Sequence, residues 1–167
     1  MMARDFADSL LTGITRDLRA KYKNWNRRFL FDRNYSETRV PEVPSSIIET
    51  LSHQNFADMR MGHDPNFKFT IARSIYKSIL RFVSHQHGRP CIVQPLAPNN
   101  FRVEIIGDNK VRLSWTPVED QLEPTAVPTS YNIYTSMNGS GFDNGTETKS
   151  TSYIMDVEPG MLYNFRV

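Results

Sequence analysis

Cysteine is nearly missing from this chain: Cys91 is the single one in 167 residues. That count excludes an intramolecular disulfide framework and any metal site built from several thiolates. No stretch approaches the roughly 20 continuous apolar residues that cross a bilayer as a helix. The opening segment, "MMARDFADSLLTGITRDLRAKY", interrupts its apolar residues with charges and so does not read as a secretory signal. Histidine is absent before His53, and the four present (His53, His63, His85, His87) all fall in the middle of the chain. There is no phosphate-cradling glycine loop, no Ser/His/Asp set and no Arg-Gly-Asp tripeptide.

Charge is present but unevenly divided. Residues 1–95 carry 15 Lys/Arg against 9 Asp/Glu, and residues 96–167 carry 5 against 9. A change of sign within one chain marks two units of different character. The basic charges of the first half are scattered at helical surface spacing, without an aromatic platform between them, so nucleic acid is not an expected partner.

Periodicity divides the chain at the same place. Phe6, Leu10, Ile14, Leu18 and Tyr22 recur every four residues, with Ala7 and Leu11 widening the stripe, and predict an amphipathic helix. Residues 24–44 have no clean period, although Phe29 to Phe31 has the composition of a short strand. Ser46 to Leu51, with Ile47 and Ile48 at its centre, is a second strand candidate. Asp64 as N-cap and Pro65 at the first helical position open a helix whose stripe is Phe67, Ile71, Ile75 and Ile79, ending near Val83 to Ser84. Residues 85–99 hold three prolines and a glycine and read as a linker. From residue 100 the period falls to two: "FRVEII", "KVRLSWTPV", "TSYNIYTSMNG", "TSYIMDV" and "MLYNFRV" predict short antiparallel strands of a sandwich, with Asn138-Gly139 as a hairpin signal.

The strands Val111-Arg112-Leu113-Ser114-Trp115 and Tyr131-Asn132-Ile133-Tyr134, with "YIMDVEPGMLYNFRV" after them, make residues 100–167 resemble a fibronectin type III domain. The resemblance implies that Trp115 fills the space between two sheets. It also implies that Tyr163, after Glu158-Pro159-Gly160, forms a tyrosine corner, and that the sandwich lacks its last strand.

Residues 1–84 carry a second ordered series: Val43-Pro44, then Ile47-Ile48-Glu49, then Ser52 with Asn55, then Asp64-Pro65-Asn66-Phe67 and Ile71-Ala72-Arg73. This series resembles the C-terminal part of zinc-dependent N-acetylmuramoyl-L-alanine amidases, with Thr50-Leu51-Ser52 standing where that family has Leu-Gly-Phe. The resemblance implies an incomplete α/β domain in which a strand delivers Glu49 to the rim of a sheet. There it would act as acid/base on the amide joining N-acetylmuramic acid to L-alanine in peptidoglycan. The family's zinc ligands, a His, a Glu and a second His, precede the matched region. The expectation is therefore a zinc-dependent parent enzyme, no metal or other cofactor bound to this chain, and no activity of the chain alone. The same resemblance implies a bacterial extracellular, periplasmic or cell-surface setting, with peptidoglycan or another surface glycan as partner.

Two other function classes fit the same residues. One is a non-catalytic surface or adhesion protein, and the other is an accessory region of a polysaccharide-degrading enzyme. In both, the fibronectin-like half is a spacer or binding module, meeting any ligand on loops such as Asn138 to Gly145.

Overall fold

The computed structural model describes residues 2–167, which divide into two units, Met1–Cys91 and Ile92–Val167. In the first, every described element is a helix: α1 (Met2–Lys21), α2 (Ser36–Arg39), α3 (Phe56–His63) and α4 (Pro65–Gln86). The four-residue stripe of α1 places Leu10, Ile14 and Leu18 inside, where they meet Phe67 of α4. Tyr22 and Trp25 set their rings 5.6 and 5.7 Å from that of Phe67 and close one end of this core. Burial, and secondarily the charge of Asp64, raises the Tyr22 phenol above its ordinary pKa.

The two long helices run antiparallel, since Phe6 lies against Phe82 while Lys21 reaches back to Thr70. What α4 turns toward α1 is less apolar than its sequence stripe predicts. Beyond Phe67, its buried residues are Thr70, Ser74, Lys77, Ser78 and Ser84. Two of the serines enter the interior because each hydroxyl is satisfied within the helix: Ser74 Oγ donates to Thr70 O and Ser78 Oγ to Ser74 O, both at 2.8 Å. Their small size lets the backbones approach closely. A Cβ on Gly13 would lie 2.1 Å from Ser78 Oγ and 3.1 Å from Ser78 Cβ, so a side chain there forces the helices apart.

Within this seam lies a buried ion pair. Lys77 Nζ approaches Asp17 Oδ2 to 2.8 Å, with the two side chains 1% and 3% exposed, and Arg16 meets the other Asp17 oxygen at 3.1 Å. The opposite face of α4 is open. Ala72, Ile75, Tyr76, Ile79, Leu80 and Val83 line a shallow apolar hollow of about 480 Å³.

The expected α/β character of this unit is corrected by the structure. Neither Phe29 to Phe31 nor Ser46 to Leu51 is a strand. Ser46 to Leu51 is irregular, with Ile47 47% exposed. A strand exists through its ladder, and among the described residues of this unit no other segment offers an edge. The four-residue α2 lies within residues 24–44, where periodicity predicts no element.

The second unit has the sandwich-like architecture that its alternation predicts. One sheet has the order β1 (Asn99–Gly107), β2 (Lys110–Thr116), β5 (Ser152–Asp156). The other has the order β4 (Thr146–Thr148), β3 (Tyr131–Ser136), β6 (Asn164–Arg166), and all pairings are antiparallel. Strict alternation on β2 sends Val111, Leu113 and Trp115 inward to meet Ile133 of β3. Trp115 packs edge-on to Tyr131 at 5.3 Å. Asn109, at φ 61°, supplies the left-handed residue of the β1–β2 turn. On β1 the register puts Val103 opposite Leu113 and Ile105 opposite Val111, yet Ile105 is 82% exposed, so this edge of the inward face is uncovered. Glu158 N–H donates to the hydroxyl of Tyr163 at 3.0 Å, which is the corner contact the resemblance implies.

Both the ion pair and the corner can be weighed by denaturant unfolding. Asp17→Ala removes the carboxylate that faces the buried Lys77 ammonium and should cost the helical unit about 3–5 kcal/mol, whereas Asp17→Leu combined with Lys77→Met should recover most of that loss. Additive single effects would show that the pair is not coupled. Tyr163→Phe removes one hydrogen-bond acceptor and should lower the stability of the β unit by about 1 kcal/mol, with the helical unit unaffected.

Candidate functional site

Glu49 is exposed, near the end of the irregular segment that precedes α3. The next nine residues are tightly organised. Leu51 turns back onto the helical core and lies so near α3 that a Cβ on Gly62 would be 3.3 Å from its Cδ1. Ser52 to Asn55 then forms a turn closed by Asn55 N–H donating to Ser52 O at 3.0 Å. Asn55 is also the N-cap of α3: its Oδ1 accepts from Ala57 N–H at 2.9 Å and Asp58 N–H at 3.2 Å. Asp58 reaches back past the cap, and its Oδ2 accepts from Ser52 N–H at 2.8 Å. Both ends of this turn are thus bonded locally, while His53, Gln54 and Phe56 face solvent.

The helix expected at Asp64-Pro65 begins there. Asp64 Oδ1 accepts from Asn66 N–H at 2.9 Å and Pro65 occupies the first turn. The ordered series read from the sequence is therefore realised as an irregular segment, a carboxylate, a self-bonded turn, α3 and α4. Sequence reasoning names Ser52 and Asn55 but misses Asp58. Its signal is the Asn-x-x-Asp spacing at a helix start, a relative of the capping box.

The site is a carboxylate beside a fixed turn and no more than that. Glu49 lines neither the hollow on α4 nor the 240 Å³ cleft between α1 and α4 bordered by Asp8, Thr12, Arg16 and Arg81. The histidines do not gather round it. His63 ends α3, while His85 and His87 close α4, where a two-residue offset turns them apart. Among the described residues no group of three or more His, Cys, Asp or Glu is arranged to hold a metal ion, and so these residues do not fit the zinc that the amidase resemblance implies. No described helix is long and apolar enough to cross a membrane.

In the β unit, the loop expected to meet a ligand, Asn138 to Gly145, is wider than a two-residue hairpin because β4 starts only at Thr146. Asp143 holds its base: Oδ1 accepts from Thr135 N–H and Gly145 N–H, both at 3.0 Å. Arg166 on β6 lies over the rings of Tyr134 and Phe142, 4.7 and 5.0 Å from their centroids, and pins the loop to the sheet.

Comparison with known proteins bears on this second unit. No curated protein matches the chain. The family model for the fibronectin type III domain matches residues 96–167. With the two three-stranded sheets, the buried Trp115 and the Tyr163 corner already in place, residues 96–167 are a fibronectin type III domain.

Proposed function

We propose that this chain is part of a peptidoglycan hydrolase, an N-acetylmuramoyl-L-alanine amidase, in which Glu49 serves as the acid/base and the fibronectin type III domain as a spacer or binding module. The observation that carries the reading is the setting of Glu49: an exposed carboxylate placed three residues before a turn whose two ends are hydrogen-bonded in place. A carboxylate so presented accepts a proton from an attacking water and returns it to the departing amine of L-alanine. The partly exposed Ile47 and Ile48, and the apolar hollow along α4, support a further layer of structure against this unit in the whole enzyme. Zinc, on this reading, is held by parts of the enzyme outside these residues, and the setting is the bacterial cell envelope.

The full-length protein tests this directly. Glu49→Gln should lower turnover of a muramoyl-peptide substrate by about 10²–10⁴-fold without loss of folding; unchanged turnover would end the acid/base role of Glu49, and no turnover by the unaltered protein would end the hydrolase reading. The chain alone should show no stoichiometric zinc uptake in a calorimetric titration and release no peptide from peptidoglycan, and tight binding together with hydrolysis would overturn the assignment of the metal ligands elsewhere.

A further inference from the structure

Two bare aromatic rings stand together on the helical unit. Phe29 and Phe31 are 80% and 66% exposed, on the irregular stretch between α1 and α2. Single exposed apolar side chains are ordinary, but an apolar tip of neighbouring rings marks a contact surface. The root of this loop is anchored. The Trp25 ring packs 5.7 Å from that of Phe67, Arg19 Nε donates to Trp25 O at 2.8 Å, and Arg27 pairs with Asp8 of α1. The rings project two and four residues beyond that pair. Their surroundings are cationic: seven of the fifteen Lys/Arg in residues 1–95 fall between Arg19 and Arg39, against only Asp32 and Glu37. All seven are exposed. An apolar tip inside a cationic collar complements an anionic lipid surface, where rings enter the boundary between headgroups and acyl chains while guanidiniums meet phosphates. Nucleic acid would also meet the charge, but a base stacks on an open ring face. Here the Arg33 guanidinium lies over Phe31, 5.3 Å from its centroid, and Phe29 meets Phe31 edge-to-face at 6.3 Å. Entry into lipid needs no open face, and it leaves Arg33 at headgroup level beside the ring.

We propose that residues 27–35 form a lipid-docking loop that seats the helical unit on an anionic membrane surface. Phe29 and Phe31 are the inserted side chains, and Arg28 and Arg33 are the phosphate contacts. The irregular backbone must keep its water, so the contact stays at the interface and only the rings go deeper. Neither Glu49 nor any metal takes part, and the loop's role is independent of the hydrolase reading.

The test is co-sedimentation of the full-length protein with vesicles. The protein should sediment with mixed phosphatidylglycerol and phosphatidylcholine and stay in solution with phosphatidylcholine alone. Arg28→Gln combined with Arg33→Gln should weaken partition about 25-fold, at about fivefold for each cation near the surface. Phe29→Ser combined with Phe31→Ser should weaken it about tenfold or more. Phe56→Ser removes a ring that is 81% exposed but lies outside the loop, and it should change nothing. In Phe31→Trp, the added emission should shift to the blue with the mixed vesicles and be quenched by brominated lipid. The substituted side chains are exposed, so every variant should keep the circular dichroism spectrum of the unaltered protein. No sedimentation with the mixed vesicles, or sedimentation that either double variant retains in full, overturns the docking role. An equal loss in Phe56→Ser, or an unshifted and unquenched Phe31→Trp, overturns it as well. Binding to a single-stranded oligonucleotide without binding to vesicles overturns it in favour of nucleic acid. None of these outcomes touches Glu49, whose role is read from turnover.

Discussion

The ion pair between Asp17 and Lys77 constrains the helical unit more than any other contact. Two charges withdrawn from water leave little tolerance for misalignment, because a shift of one helix along the other would pull them out of reach of each other. The apolar contacts of Leu10, Ile14, Leu18 and Phe67 would survive a modest slide; the pair would not. Its presence also explains why α4 buries serines and a threonine along this seam. Small residues that satisfy their own hydroxyls let the backbones close to the distance at which Gly13 has no room for a Cβ, and that proximity carries the ammonium to the carboxylate. Hydrophobic burial drives association, and the polar contact selects one register.

This division separates what the sequence makes legible from what it hides. The α1 stripe and the Asp64-Pro65 start of α4 arise from spacing and from capping chemistry that acts within a few residues, so the sequence contains all the terms. The face of α4 does not. Its apolar stripe starts in the core at Phe67 and drifts round the helix, so that Ile71 and Ile75 only flank the core and Ile79 lies on the open side, while Thr70, Ser74, Lys77 and Ser78 are the buried residues of the seam. The strands of the fibronectin type III domain are legible because each strand pairs with a segment inside the same unit. Ser46 to Leu51 has strand-like residues and no partner, so composition alone points the wrong way there. The Asn138-Gly139 signal suggests a tighter turn than the one that forms, since Asp143, several residues further on, closes the loop at its base.

The candidate site is half legible in the same sense. Glu49 is found by its place in an ordered series, and Asn55 by its type. Asp58 is marked only by its Asn-x-x-Asp spacing, which points to the cap's own N–H, whereas the bond that forms is to the backbone N–H of Ser52, six residues away. Within the fibronectin type III unit, the Tyr163 corner and the cation-capped rings hold that unit's own turn and loop.

Arg166 ties two motions together. Its guanidinium, laid across Tyr134 and against Phe142, belongs to β6, while Phe142 belongs to the loop between β3 and β4. Loosening that loop means peeling a cation from two rings at once, and pulling β6 from β3 withdraws the same cation from beneath the loop. Tension applied along β6 would therefore reach Asn138 to Gly145 through Arg166 as well as through the backbone ladder.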